Sequence, residues 1–126
     1  MARAVIHWEI GGRDAAELRR FYAALFDWQV TGDAEYGLVA PADGGIGGGI
    51  LQTREGMPSY VTFYVDVADL EESLQRASEL GGRTVVPPTP IPGIGAFAMF
   101  EDPGGNTIGL MAERRGEGDA PAQPGE

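Results

Sequence analysis

Twice along this chain an alternating strand runs into an acidic helix start, and that repetition restricts the fold more than any other feature. Residues 5–10 place Ile6, Trp8 and Ile10 on one side of a strand and Val5, His7 and Glu9 on the other. Asp14-Ala15-Ala16-Glu17-Leu18 follows, an acidic cap with a glutamate three residues on. Leu18, Phe21, Tyr22 and Leu25 then recur at helical spacing. From residue 60 the pattern returns. Val61, Phe63 and Val65 alternate with Tyr60, Thr62 and Tyr64, and Asp66-Val67-Ala68-Asp69-Leu70 repeats the order acid, two small or apolar residues, acid, leucine. Leu70, Leu74, Ala77 and Leu80 form the second stripe, stopped by Gly81-Gly82. On this reading the two caps lie 52 residues apart, Asp14 matching Asp66.

Each helix is followed by three strand-like runs: residues 28–31, 36–40 and 46–52 after the first, and 83–86, 96–101 and 106–112 after the second. The last two are joined by Asp102-Pro103-Gly104-Gly105-Asn106, a concentration of turn-formers that reads as a hairpin. The expected fold class is therefore α+β: two βαβββ modules, about residues 3–56 and 57–112, forming a curled mixed-sheet cup with the helices on its outer face. Val5, His7, Glu9, Tyr60, Thr62 and Tyr64 would line the cup. Polar groups at alternate positions argue against a dry second core, because buried polar atoms need partners. Residues 87–95, Pro87-Pro88-Thr89-Pro90-Ile91-Pro92-Gly93-Ile94-Gly95, are too rich in proline to be expected in regular structure. Residues 113–126 read as a disordered acidic Gly/Pro tail.

Composition narrows the function classes. The 126 residues carry a net charge of −10, which repels phosphate backbones and anionic lipid, so neither nucleic acid nor membrane is an expected partner. With no cysteine there are no disulfides, thiol nucleophiles or thiolate metal sites, in keeping with a reducing cytoplasm. No apolar run approaches the roughly 20 residues of a membrane span. The opening residues run straight into a strand, so no secretion leader is expected. The glycine-rich residues 44–49 are not followed by a helix or a Lys-Ser/Thr pair. Close approach of a strand edge or ligand to the backbone suits them better than a phosphate cradle. Ser59 and Ser73 lack a histidine in a triad pattern.

Val5-Ile6-His7-Trp8-Glu9-Ile10, Phe21-Tyr22-Ala23-Ala24-Leu25-Phe26-Asp27-Trp28 and Phe100-Glu101-Asp102-Pro103-Gly104-Gly105-Asn106 resemble the vicinal oxygen chelate superfamily, the glyoxalase I, bleomycin-resistance and extradiol dioxygenase group. The resemblance covers nearly everything but the tail. It implies paired βαβββ modules and a range of activities from metal enzymes to metal-free drug binders. In metal-dependent relatives the first and last strand of each module carry the ligands. His7 stands at the first of these positions. The second histidine position falls on Tyr60, the last-strand glutamate of the second module on Gly109, and that of the first within Gly47-Gly48-Gly49-Ile50. One ligand of four survives, and a divalent metal in an N/O site needs at least about three. The resemblance thus implies no metal and no other cofactor.

The reading that results is a metal-free small-molecule binder of the drug- or metabolite-sequestering type, with a small hydrophobic or aromatic ligand. Tyr60, Tyr64, Phe97, Met99 and Met111 would supply flat or adaptable walls; His7, Glu9 and Thr62 would orient the ligand. An aromatic-lined open cup is also expected to draw a second copy into a homodimer. The alternative is a lyase, isomerase or dioxygenase-type enzyme using His7 in a non-standard metal site, or His7 and Glu9 as an acid/base pair.

Overall fold

The computed structural model of the chain describes residues 2–33 and 35–113. Its elements are β1 (Val5–Gly12), α1 (Ala15–Phe26), β2 (Val30–Gly32), β3 (Tyr36–Val39) and β4 (Gly48–Gln52), then β5 (Tyr60–Asp66), α2 (Leu70–Glu79), β6 (Arg83–Ile91), β7 (Gly95–Glu101) and β8 (Thr107–Glu113). The order βαβββ occurs twice in an α+β chain. Two compact units divide the described residues: Val5–Phe63, and residues 2–4 together with 64–113.

In the first unit the strand order is β2-β3-β4-β1. β1 and β4 are parallel, while β3 pairs antiparallel with both β2 and β4. In the second the order is β5-β8-β7-β6, with β5 and β8 parallel and the remaining pairs antiparallel. The pairing scheme is therefore repeated as well as the element order.

The second unit is built on strict alternation. Val67, Leu70, Leu74, Ala98 and Leu110 are buried together, with Val65, Ala96, Phe100 and Ala112 packed against them. All the β5, β7 and β8 members of this cluster share one face. Phe97 lies opposite Met111, and Met99 opposite Gly109, on the other face. The first unit is filled differently. Val39 and Ile50 are buried with Ala15, and rings cluster beside them: Trp8 and Trp28 centroids are 4.8 Å apart, Tyr22 and Trp28 5.6 Å, Phe26 and Trp28 5.1 Å. Of the α1 side chains only Ala15 is buried, while Phe21 and Leu25 remain 56% and 58% exposed. The periodicity found a helix, but half of its stripe faces outward.

Both helix starts are acidic caps, and the second is not where the repeat put it. Asp14 Oδ1 accepts from Glu17 N at 3.1 Å, and Asp69 Oδ1 accepts from Glu72 N at 3.0 Å. The caps are 55 positions apart, Asp14 to Asp69, not 52. Asp66 instead ends β5, its N–H donating to Ala4 O. Two acids three residues apart are equivalent as local cap signals, and strand length decides between them.

The proline-rich segment also departs from expectation. Residues 83–91 form the outermost strand of their unit, pairing with β7 through register shifts between Thr84 and Val86 and between Val86 and Thr89. Pro87 and Pro88 fall in the second shift, where no ladder N–H is required, and an edge strand tolerates Pro90. The 101–107 hairpin forms as expected. Asp102 N donates to Asn106 O, Gly105 takes φ 91°, and the Asp102 carboxylate accepts from Gly104 N, Asn106 N and Asn106 Nδ2. Those donors, the Asn106 backbone first, hold the Asp102 carboxyl below the usual carboxylate range. β8 runs to Glu113, paired with Gly95, and the tail expected over the remaining residues lies outside the described ones. Among the described residues no helix is long and apolar enough to cross a membrane.

Candidate functional site

Four side chains of the first unit join in one hydrogen-bonded chain. β1 alternation sends His7 and Glu9 to the same side, away from the Trp8 cluster. Glu9 is 5% exposed, and such a carboxyl must find donors. Two phenols supply them: Tyr36 OH donates to Glu9 Oε2 at 2.9 Å and Tyr60 OH to Glu9 Oε1 at 2.8 Å. Hydrogen bonds to a charged group are each worth about 1.5–3 kcal/mol net. His7 Nε2 lies 3.0 Å from the Tyr36 hydroxyl oxygen, which completes the chain His7–Tyr36–Glu9–Tyr60. Burial holds the His7 imidazole below its ordinary value of 6.5, outweighing the upward pull of the Glu9 charge.

Glycines make room for both phenols. A Cβ on Gly49 would sit against the Tyr36 hydroxyl and ring, and one on Gly11 against the Tyr60 ring. Gly48 is occupied in the same way by Trp8. The glycine-rich stretch thus admits aromatic side chains at Gly48 and Gly49 and the Val39 backbone carbonyl, at the end of β3, at Gly47. At its other end Tyr36 is held by an Asx turn: Asp33 Oδ1 accepts from Tyr36 N at 2.9 Å and from Glu35 N at 3.0 Å. Both bonds keep the Asp33 carboxyl below its usual range.

Of the residues expected to bind ligand, His7, Glu9 and Tyr60 come together in this cluster. Thr62 is buried on the same alternation as Tyr60, its hydroxyl donating over 3.4 Å to Phe63 O. Tyr64, Phe97, Met99 and Met111 belong to the second unit, where they form an apolar row. Tyr64 lies opposite Gly109 and meets Phe97 edge-on with centroids 6.4 Å apart. Tyr36 was missed. Its partners lie 27 and 29 residues away in sequence, and the only local hints were Asp33 before it and the glycines of β4.

An open cleft of about 890 Å³ adjoins the cluster within the same unit. Tyr60 is common to both. Opposite it stand Arg13 and Glu17 at the start of α1, with Leu18, Tyr22 and Met57 as apolar walls.

The residues present do not fit the metal site of metal-dependent relatives. The register pairs Glu9 with Gly49 and Tyr64 with Gly109. With the caps 55 apart, His7 is therefore matched by Thr62, not Tyr60, and Gly49 by Gly109. Three of the four positions lack an imidazole or carboxylate, and both glycines lie under tyrosine rings that a longer side chain would displace. Among the described residues no three His, Cys, Asp or Glu side chains are grouped to hold a metal ion.

The paired βαβββ modules and the ligand-like histidine on the first strand define a glyoxalase-type chain. Residues 4–110 match the family model of the Glyoxalase/Bleomycin resistance protein/Dioxygenase superfamily, and the chain belongs to that superfamily. It is 27% identical over 83 residues to "Putative glyoxylase CFP32" of Mycobacterium tuberculosis, a match covering 66% of this chain and 32% of the relative. The chain thus spans about a third of the length of the curated relatives it matches. Among solved structures, hypothetical protein BH1468 from Bacillus halodurans has a TM-score of 0.71 at 14% identity, covering 93% of this chain and 99% of that one. Homoprotocatechuate 2,3-dioxygenase from Brevibacterium fuscum, in complex with 3,4-dihydroxyphenylacetate, has a TM-score of 0.66 at 19% identity, covering 86% and 36%. At these identities the structural likeness is one of fold.

Proposed function

We propose that this chain binds a small organic molecule without a resident metal ion, and that the His7–Tyr36–Glu9–Tyr60 chain is the polar part of its site. One observation carries this reading: each last-strand position where a metal-dependent relative places a glutamate is a glycine beneath a tyrosine ring, Gly49 under Tyr36 and Gly109 under Tyr64. The space of a metal ligand is given to an aromatic surface in both modules. The cleft beside Tyr60 supplies room for a drug- or metabolite-sized molecule, and Tyr22, Leu18 and Met57 supply contact area. A few converging polar groups beside apolar walls are what an organic ligand site requires.

The connected network favours one second reading, acid/base catalysis. Tyr36 joins His7 to Glu9, so a proton taken up at one end changes the hydrogen bonding at the other. Native mass spectrometry of protein freshly purified from its host separates the readings. Sequestration predicts an intact organic molecule bound at up to one per chain and reduced by Glu9→Gln. Turnover of a bound molecule into a product of different mass, abolished by His7→Gln, would instead favour catalysis.

A further inference from the structure

Behind Tyr36 the first unit departs from the second at two matched places. With the caps 55 apart, Arg19 of α1 corresponds to Leu74 of α2. Gly49 corresponds to Gly109, and the register then matches Gly37 to Ala98 and Tyr36 to Phe97. Leu74 and Ala98 are buried together in the aliphatic cluster. Arg19 and Gly37 stand in their place. A Cβ on Gly37 would lie 2.7 Å from Arg19 Nε and 2.8 Å from Nη2, so the guanidinium fills the space of the missing methyl group. Nη2 donates to Asp33 O. The Asp33 carboxylate accepts from Tyr36 N and Glu35 N, and these two donors, with the Arg19 charge behind them, hold it below its usual range. The second unit has Ile94 three residues before Phe97, where the first has Asp33 before Tyr36. Strand alternation then turns Tyr36 away from Gly37, toward Glu9 and His7.

We propose that Arg19 is a positioning residue: lying across Gly37 and binding the Asp33 carbonyl, it fastens the turn that aims the Tyr36 hydroxyl at Glu9 and His7. An arginine where a leucine packs forgoes aliphatic burial. The module that forgoes it is the one whose matched ring carries a hydroxyl to be placed; Phe97 has none. What the aimed hydroxyl does for a ligand rests on the binding function proposed above.

The experiment follows the His7 ring protons by NMR on the full chain at one fixed pH. His7 is the chain's only histidine, so assignment is immediate. Tyr36→Phe removes the hydroxyl 3.0 Å from Nε2 and marks where the signals go when that contact is lost. Arg19→Leu and Gly37→Ala each introduce one residue of the second unit's pair, and each should carry the His7 signals most of the way to that mark. Arg19→Lys keeps a donor for the Asp33 carbonyl and should stay nearer the wild type. Arg20→Leu removes the same charge from an exposed place on α1 and should leave the signals unmoved. Replacing buried ionic groups by apolar ones is often neutral for stability, so Arg19→Leu is expected to fold, with cooperative melting as the check. Should it not fold, Gly37→Ala decides, because it keeps the guanidinium and displaces it. Folded variants with wild-type His7 signals would overturn the proposal, since Arg19 would then only pack. An Arg20→Leu shift as large as that of Arg19→Leu would overturn it too, as an effect of charge alone. So would a Tyr36→Phe spectrum identical to wild type. None of these results depends on whether a ligand is found, so failure here is distinct from failure of the binding function.

Discussion

The two units share element order and strand pairing, yet they solve the problem of filling a βαβββ module in opposite ways. In the second, α2 drives Leu70 and Leu74 onto Ala98 and Leu110, a dry aliphatic core, and the other face carries Tyr64, Phe97, Met99 and Met111. In the first, α1 buries only Ala15, which joins Val39 and Ile50 in a smaller aliphatic core; partly buried rings from Trp8, Tyr22 and Trp28 cluster beside it, and the other face carries the polar chain from His7 to Tyr60. Aliphatic packing stabilises by close interdigitation of many atoms. Rings over glycines leave hydroxyls at defined points, which suits recognition. The duplicated topology thus carries the larger aliphatic cluster in one unit and the polar chain in the other.

The largest expected contrast is between the helices. Leu74→Ala should cost about 2–5 kcal/mol in denaturant unfolding, because it opens a cavity in the aliphatic core. Leu25→Ala, at an exposed position, should stay within about 0.5 kcal/mol. Equal costs would break the contrast and show the outer face of α1 to be covered, as in the homodimer expected from the sequence. Next come the glycines. Gly109→Ala drives a methyl into the Tyr64 ring, an overpacking cost of about 1–3 kcal/mol, and Tyr64→Leu in the same chain should recover part of it. Strictly additive losses would mean that ring and glycine are not coupled.

Much of this contrast was legible beforehand. The β1 alternation separated His7 and Glu9 from Trp8, and the hairpin at 102–106 was plain because Asp, Pro and Gly each act locally there. Phe97, Met99 and Met111, expected together as walls of the ligand site, share one face of their strands. What escaped depends on pairing across distance. Tyr36 looks like any strand aromatic until β3 is laid beside β4 and its ring crosses Gly49. Thr62 could not be matched to His7 while the second cap was placed at Asp66 rather than at Asp69. The strand through Pro87 and Pro90 is permitted only by its place at a sheet edge and by its bulges, neither of which is a local property.

Two further effects sharpen the description of the polar unit. Tyr36→Phe should lower stability by about 1.5–3 kcal/mol, the net worth of the lost hydrogen bond to the Glu9 carboxylate, measured against Phe97→Leu as an apolar control in the other unit. The smallest effect is a pH dependence. His7 has a lower pKa in the folded chain than its ordinary 6.5, so the unfolded chain takes up the proton first. Stability therefore rises with pH through the window below about 6.5 and is lost as pH falls through it. His7→Gln should flatten that part of a melting-temperature profile, leaving the losses from Asp33 and Asp102, whose carboxyls act only below their ordinary 3.8. An unchanged slope in His7→Gln would place the titrating group elsewhere.

The central claim, that tyrosine rings over glycines have replaced the metal in this chain, is tested most directly by metal analysis of the protein purified from its host without chelators, paired with melting in added Zn²⁺, Ni²⁺, Mn²⁺ and Fe²⁺. A specific site filled to a hundredfold excess over Kd stabilises the folded state by about 2.7 kcal/mol, easily seen as a rise in melting temperature. The expected result is substoichiometric metal and no such rise, in wild type and His7→Ala alike. One metal per chain, with a stabilisation that His7→Ala abolishes, would contradict the account.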